Sequence, residues 1–206
     1  MILSLLAFVL HLPVADAARV PADYRAVLGS DLATEVSLLN QSGRYRDAIK
    51  LAGRMRRSVG RLPSVSYEAG YAHYQLGEME AAVRHYDAAI LNDPRLAMAY
   101  YDRGEIHLTE GRLIQAQSDF ERVVELQPKH WVGHFRLAHM AGLTENATLF
   151  ETHLMAAISA GFSFNSVLND PDWKRFTMHA ELQHVLRKII VLYGNDDLLQ
   201  WLGDHP

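Results

Sequence analysis

Apolar positions recur with helical spacing along most of the chain, and the pattern starts again every 34 residues. Between 97 and 130 a first helix is predicted from about Met98 to Glu110, and Gly111 breaks it. A second runs from about Leu113 to Leu126, and Pro128 stops it. Phe120 and Val123 follow Ala116 by four and seven residues, which puts all three on one helix face. Residues 63–96 align with this stretch without a gap. Tyr67, Gly70, His73, Gly77, Ala82 and Pro94 recur as Tyr101, Gly104, His107, Gly111, Ala116 and Pro128. Tyr86 recurs as Phe120, and Ala89 as Val123. A fixed period of this length indicates stacked helical hairpins, each too small to bury its apolar face alone.

The pattern weakens outward, as it must where terminal repeats cap an apolar end. Gly43 and Ala48 stand one period before Gly77 and Ala82, which makes 29–62 a degenerate first hairpin with helices near 31–41 and 45–58. Residues 131–164 read as a fourth, with helices Trp131–Gly142 and Asn146–Ala160, no glycine at the tight-crossing position, and Gly161 as its end. Residues 165–206 form a helical tail. Asp170 is an N-cap with Pro171 behind it, a short helix follows to Phe176, and Met178–Tyr193 carries Leu182, Val185, Leu186, Ile189 and Ile190 on one face. A last short helix is expected from Asp196 through Leu202.

The recurring Tyr, Gly, Ala and Pro positions resemble the tetratricopeptide repeat family. The resemblance implies an all-α fold: a right-handed superhelical solenoid of helix-turn-helix repeats (29–62, 63–96, 97–130, 131–164) with a helical C-terminal cap over 165–206. It also implies that the first helix of each pair lines a concave groove that binds a peptide or partner protein. Spacing then selects the groove residues. Tyr67, Tyr71 and Tyr74 share one helix face. Tyr101 and Glu105 follow one period later, and Phe135 and His139 another period on. Glu68 and Asp102 add acid, and the first repeat offers Thr34, Ser37, Asn40 and Gln41. Tyrosine gives large contact area with a polar tip, which suits recognition. Chaperone-binding relatives hold a C-terminal carboxylate with basic groove residues. Here those positions read Ala33, Ser37, Tyr71, Met98 and Asp102, so that binding mode is rejected.

Charge refines the picture. Residues 41–62 hold seven basic side chains (Arg44, Arg46, Lys50, Arg54, Arg56, Arg57, Arg61) against one acidic, Asp47. Residues 63–130 hold 11 acidic against 6 basic side chains. The basic run suits an acidic partner or a membrane surface, or is simply a solvated helix face. The net charge of −4 argues against a general nucleic-acid binder. Without cysteine, neither a disulfide nor a thiolate-bound metal can form.

Met1 to Leu12 is almost wholly apolar and shorter than the roughly 20 residues of a membrane span. With Ala15-Asp16-Ala17 behind it, it fits a signal peptide over 1–17 cleaved before Ala18, although no Lys or Arg precedes the run. The expectation is a bacterial periplasmic or secreted protein with no integral span in the mature chain, starting with a lead-in over 18–28. If the segment is not a signal, the protein is cytoplasmic.

Eleven histidines raise a metal hypothesis, since His130 and His134 are four apart with His139 and His153 to follow. The zinc-protease glutamate is missing, and no phosphate loop, nucleophile elbow or dinucleotide fingerprint is present. The leading expectation is a non-catalytic scaffold without cofactor or metal. Two alternatives stand beside it: a self-assembly module whose basic and acidic faces meet in a homo-oligomer, and a histidine-based metal-binding protein.

Overall fold

The structure is a computed structural model that describes residues 22–163, 170–193 and 196–204. The expected signal peptide lies outside the described residues, as do residues 18–21 of the lead-in. The described chain is all-helical. It divides into two compact units, residues 1–110 and 111–206.

The N-terminal unit holds α1 (Ala22–Gln41), α2 (Tyr45–Val59), α3 (Pro63–Gln75), α4 (Met79–Asn92) and α5 (Ala97–Thr109). α1 packs on α2 and α3, α3 on α4, and α4 on α5. α1 begins nine residues before the expected start near 31. Ala and Leu favour helix through this stretch, and a lone Gly29 costs only about 1 kcal/mol relative to Ala. One buried cluster joins Leu32, Val36, Ala48, Met55, Val65 and Ala72. A second joins Ala82, Tyr86, Ala89, Ala99 and Ile106. α3 and α4 meet at Gly70, where an added Cβ would stand 2.6 Å from the Tyr86 ring. Only glycine admits so close an approach, and the buried Tyr86 ring takes the space.

The C-terminal unit holds α6 (Leu113–Leu126), α7 (Trp131–Leu143), α8 (Ala147–Ser159), α9 (Pro171–Phe176), α10 (Ala180–Tyr193) and α11 (Asp196–Asp204). α7 packs on α6, α8 and α9, and α10 packs on α8 and α11. Its core gathers Ala138, Phe150 and Leu154 with Trp173 and Phe176 of α9 and the apolar face of α10. Asp170 caps α9 by accepting from the Asp172 amide at 2.9 Å, with Pro171 at the first position.

The turns obey the period. Gly43, Gly77 and Gly111 all have φ between 72° and 74°. At Gly77 the amide donates to Tyr74 O, and Glu78 N donates to His73 O, both at 2.9 Å. This left-handed stop satisfies the last carbonyls of α3. One period after Gly111 stands Glu145, with φ 59°. Its amide donates to Gly142 O and the next amide, of Asn146, donates to Ala141 O, which repeats the pair of bonds at Gly77. The turn is kept although a glutamate occupies it.

Candidate functional site

α3 presents the expected tyrosine face in the N-terminal unit. Tyr67 is half-buried, its ring 5.8 Å from that of Tyr86 and tilted by 37°. Tyr71 is half-buried and Tyr74 is 39% exposed. From α5, Tyr101 and Glu105 are half-buried. The Asp102 carboxyl lies near the Tyr67 and Tyr86 side chains, and the buried Tyr86 hydroxyl has no hydrogen-bond partner among the described residues. Burial pushes the Asp102 carboxyl above its ordinary range, and Glu68 adds to the rise, while the nearby tyrosine hydroxyls oppose it. Burial likewise raises both phenols, and the Asp102 charge raises them further. Spacing places Asp102 on the groove, but it does not reveal that this carboxyl lies near the tyrosines of both α3 and α4.

Beside this face lies a pocket of about 410 Å³ between α1 and α3, lined by Thr34, Ser37, Gln41, Ser64 and Glu68 among others. Asn40, expected as a groove group, instead ties the two helices. Its amide donates to Glu68 O at 3.0 Å and to Glu68 Oε2 at 2.8 Å, and the residue is only 4% exposed.

Phe135 and His139 belong to the C-terminal unit, where α9 packs against them. The Phe135 ring stacks on Trp173 at 5.5 Å and 7°. His139 is 8% exposed, with Nε2 3.0 Å from Asp172 Oδ2. Burial lowers the His139 pKa, against the opposing pull of Asp172. Gly142 stands one helix face along, and a Cβ there would meet the Phe176 ring at 2.6 Å. Trp173 and Phe176 cover this face.

The histidines do not form one cluster, although His134 meets His153. The His130 side chain accepts from Val132 N at the start of α7, and the His134 and His153 Nδ1 atoms lie 3.3 Å apart. Desolvation lowers both His134 and His153. Among the described residues no three or more His, Cys, Asp or Glu side chains are arranged to hold a metal ion.

The basic run divides as well. Arg44 pairs with Asp47 at 2.8 Å, and Arg46, Lys50 and Arg54 lie exposed on α2. Arg56, Arg57 and Arg61 are exposed too, but they border a second cavity of the same unit, against α3 and α4. Among the described residues no helix is long and apolar enough to cross a membrane.

Comparison with known proteins fits this geometry. Residues 70–111 match the family described as TPR repeat, and residues 97–130 match that described as tetratricopeptide repeat. The chain is 37% identical over 68 residues to the tetratricopeptide repeat and J domain-containing co-chaperone DNJ1 of Fusarium oxysporum f. sp. lycopersici. That match takes in 33% of this chain and spans only 13% of the length of DNJ1. Among solved structures, the chain is similar to YrrB, a TPR protein with an unusual peptide-binding site. The TM-score is 0.65 at 12% identity, over 89% of this chain and 98% of that one. It is also similar to MamA 41-end from Desulfovibrio magneticus RS-1, with a TM-score of 0.59 at 17% identity over 85% and 92% of the two chains. Residues 70–130 thus carry the tetratricopeptide repeat, and the described helices share the helix-turn-helix fold of its solved members.

Proposed function

We propose that the chain is a non-catalytic interaction scaffold that captures a peptide or a segment of a partner protein on the tyrosine face of its N-terminal unit. The observation that carries this reading is an aromatic helix face left open to water beside a polar pocket: Tyr71 and Tyr74 on α3, next to the pocket between α1 and α3. Large rings that are neither fully buried nor shielded supply contact area at small cost in rotamer freedom. Glu105 selects polar or basic groups on the ligand. The peptide-binding site of YrrB and the co-chaperone role of DNJ1 support a protein ligand. The apolar stretch before Ala18 supports export, so the partner is sought in the periplasm or outside the cell.

The test is partner capture by crosslinked pull-down with the full chain and with the Tyr71→Ala/Tyr101→Ala variant. Capture falls by about tenfold or more, in keeping with about 1.4 kcal/mol per decade, while helicity by circular dichroism is unchanged. Undiminished capture by a folded double variant overturns the groove assignment. Fractionation of cells tests export.

A further inference from the structure

The N-terminal unit carries a second concavity, away from the tyrosine face. It is an open cavity of about 620 Å³ bordered by α2, α3 and α4. On α3 it is lined by Val65, Ser66, Ala69 and His73. At about 100° per residue these positions point roughly opposite to Tyr67, Tyr71 and Tyr74. Its volume falls in the range of ligand clefts.

Its lining has a marked chemical bias. Arg56 and Arg57, in the last turn of α2, come together with Arg61 just beyond it and Arg84 of α4. Among the described residues none of these four guanidinium groups has an ion-pair partner. The carboxylate in the lining, Asp87, is held by Arg103 at 2.5 Å. Arg57 is folded back over Gly53, where its Nη1 would lie 3.9 Å from an added Cβ. Beneath the cations the floor is apolar, with Ile49, Leu62 and Val65. His85 completes the wall, its ring stacked on His73 at 5.0 Å and 21°.

We infer that this cavity is a second binding site, and that it takes an acidic peptide segment in which carboxylates flank an apolar side chain. Arginine forks match carboxylates in bidentate geometry, which gives the cations their partner. The apolar floor asks for a hydrocarbon group between them. A bare inorganic anion leaves that floor uncovered, and a flat lipid surface does not enter a concavity. Cations face His85, while its stacked neighbour His73 is paired with Glu78 at 2.6 Å. Burial, reinforced by His73, Arg56 and Arg84, holds the His85 ring at a pKa of about 4. An arriving carboxylate opposes the pull of those cations.

The test uses the full-length chain and a short fluorescent peptide of alternating glutamate and leucine, read by anisotropy near physiological salt. The peptide binds, and its glutamine–leucine counterpart does not. Arg57→Gln/Arg61→Gln weakens binding at least about tenfold, the loss expected for a charge-assisted contact. Arg46→Gln/Lys50→Gln, on the same helix but outside the cavity, changes it less than about twofold. The His85 ring resonances titrate at higher pH in the saturated complex. Tyr71→Ala/Tyr101→Ala leaves this binding unaltered, so failure here and failure of the tyrosine groove are told apart. Equal losses in the two cation variants overturn the site in favour of diffuse attraction. Equal binding of the glutamine peptide overturns it outright. Displacement of the peptide by inorganic phosphate alone, or by phosphatidylserine vesicles, overturns the peptide as occupant. So does self-association of the chain that is lost in Arg57→Gln/Arg61→Gln.

Discussion

The first helix of a pair appears in two states in this molecule. In the N-terminal unit α3 leaves Tyr71 and Tyr74 in contact with water. In the C-terminal unit α7 has His139 and Gly142 at the positions of Tyr71 and Tyr74, and α9 buries both while packing on the half-buried Phe135. The difference follows from the side chains. A phenol keeps its hydroxyl hydrated while its ring stays available. Burial disfavours the charged form of His139, and the glycine makes room for the Phe176 ring that covers it. One scaffold therefore makes either an open aromatic face or a closed end, according to a few residues per helix.

The largest break in this comparison is Trp173→Ala. Trp173 is 1% exposed and touches Phe135, His139, Phe150 and Phe176. Its loss costs about 3–5 kcal/mol. Amide exchange accelerates through α7 to α10 while α1 to α5 keep their protection. Next is the matched pair His139→Ala and Tyr71→Ala, two periods apart. The first, buried against α9, destabilises its unit by about 2 kcal/mol, and the second costs its own unit under about 1 kcal/mol. Urea midpoints read both, and equal costs erase the distinction between covered and open faces.

Acid gives a smaller effect. The folded His85 titrates at about 4, below its ordinary 6.5, so between those values the unfolded chain binds the extra proton. Its contribution is fully present above pH 6.5 and is lost as pH falls towards 4. The ring is partly solvated, which screens the effect to about 1 kcal/mol. Asp102 acts in the opposite sense, because a raised carboxyl pKa weakens the fold as pH rises through the shifted range. The difference in melting temperature between wild type and His85→Gln, followed from about pH 7 to about 4.5, isolates the histidine. The smallest effect is Glu145→Gly, which relieves a left-handed residue and stabilises by about 0.5 kcal/mol, read as a small rise in urea midpoint. The half-exposed ion pair from Glu145 to His179 offsets part of that gain.

The helices are legible in the sequence because glycine and proline punctuate them locally. Leu113–Leu126 has the bounds the pattern predicts, and α5 differs from its expected range by one residue at each end. Glu145 is equally legible by spacing alone, but its residue type does not advertise a turn. The fate of Phe135 and His139 is not legible. Periodicity fixes which face of α7 they occupy, whereas Trp173 and Phe176, more than thirty residues on, decide whether that face meets water. The same limit hides the basic cavity. The charge run at 41–62 is visible in the sequence, but Arg84 and His85 join three of its arginines only through the packing of α4 on α3.

α3 is a single rod with chemistry on both sides. Ser66 and Tyr67 are neighbours in the chain, yet one faces the arginine cavity and the other the tyrosine surface. A helix with its side chains is about 10–12 Å thick, and this one runs unbroken between the two surfaces. It is therefore a ruler. Two segments seated against its flanks lie one helix thickness apart, and a partner whose loop spans that gap holds on with the product of two modest affinities rather than either alone.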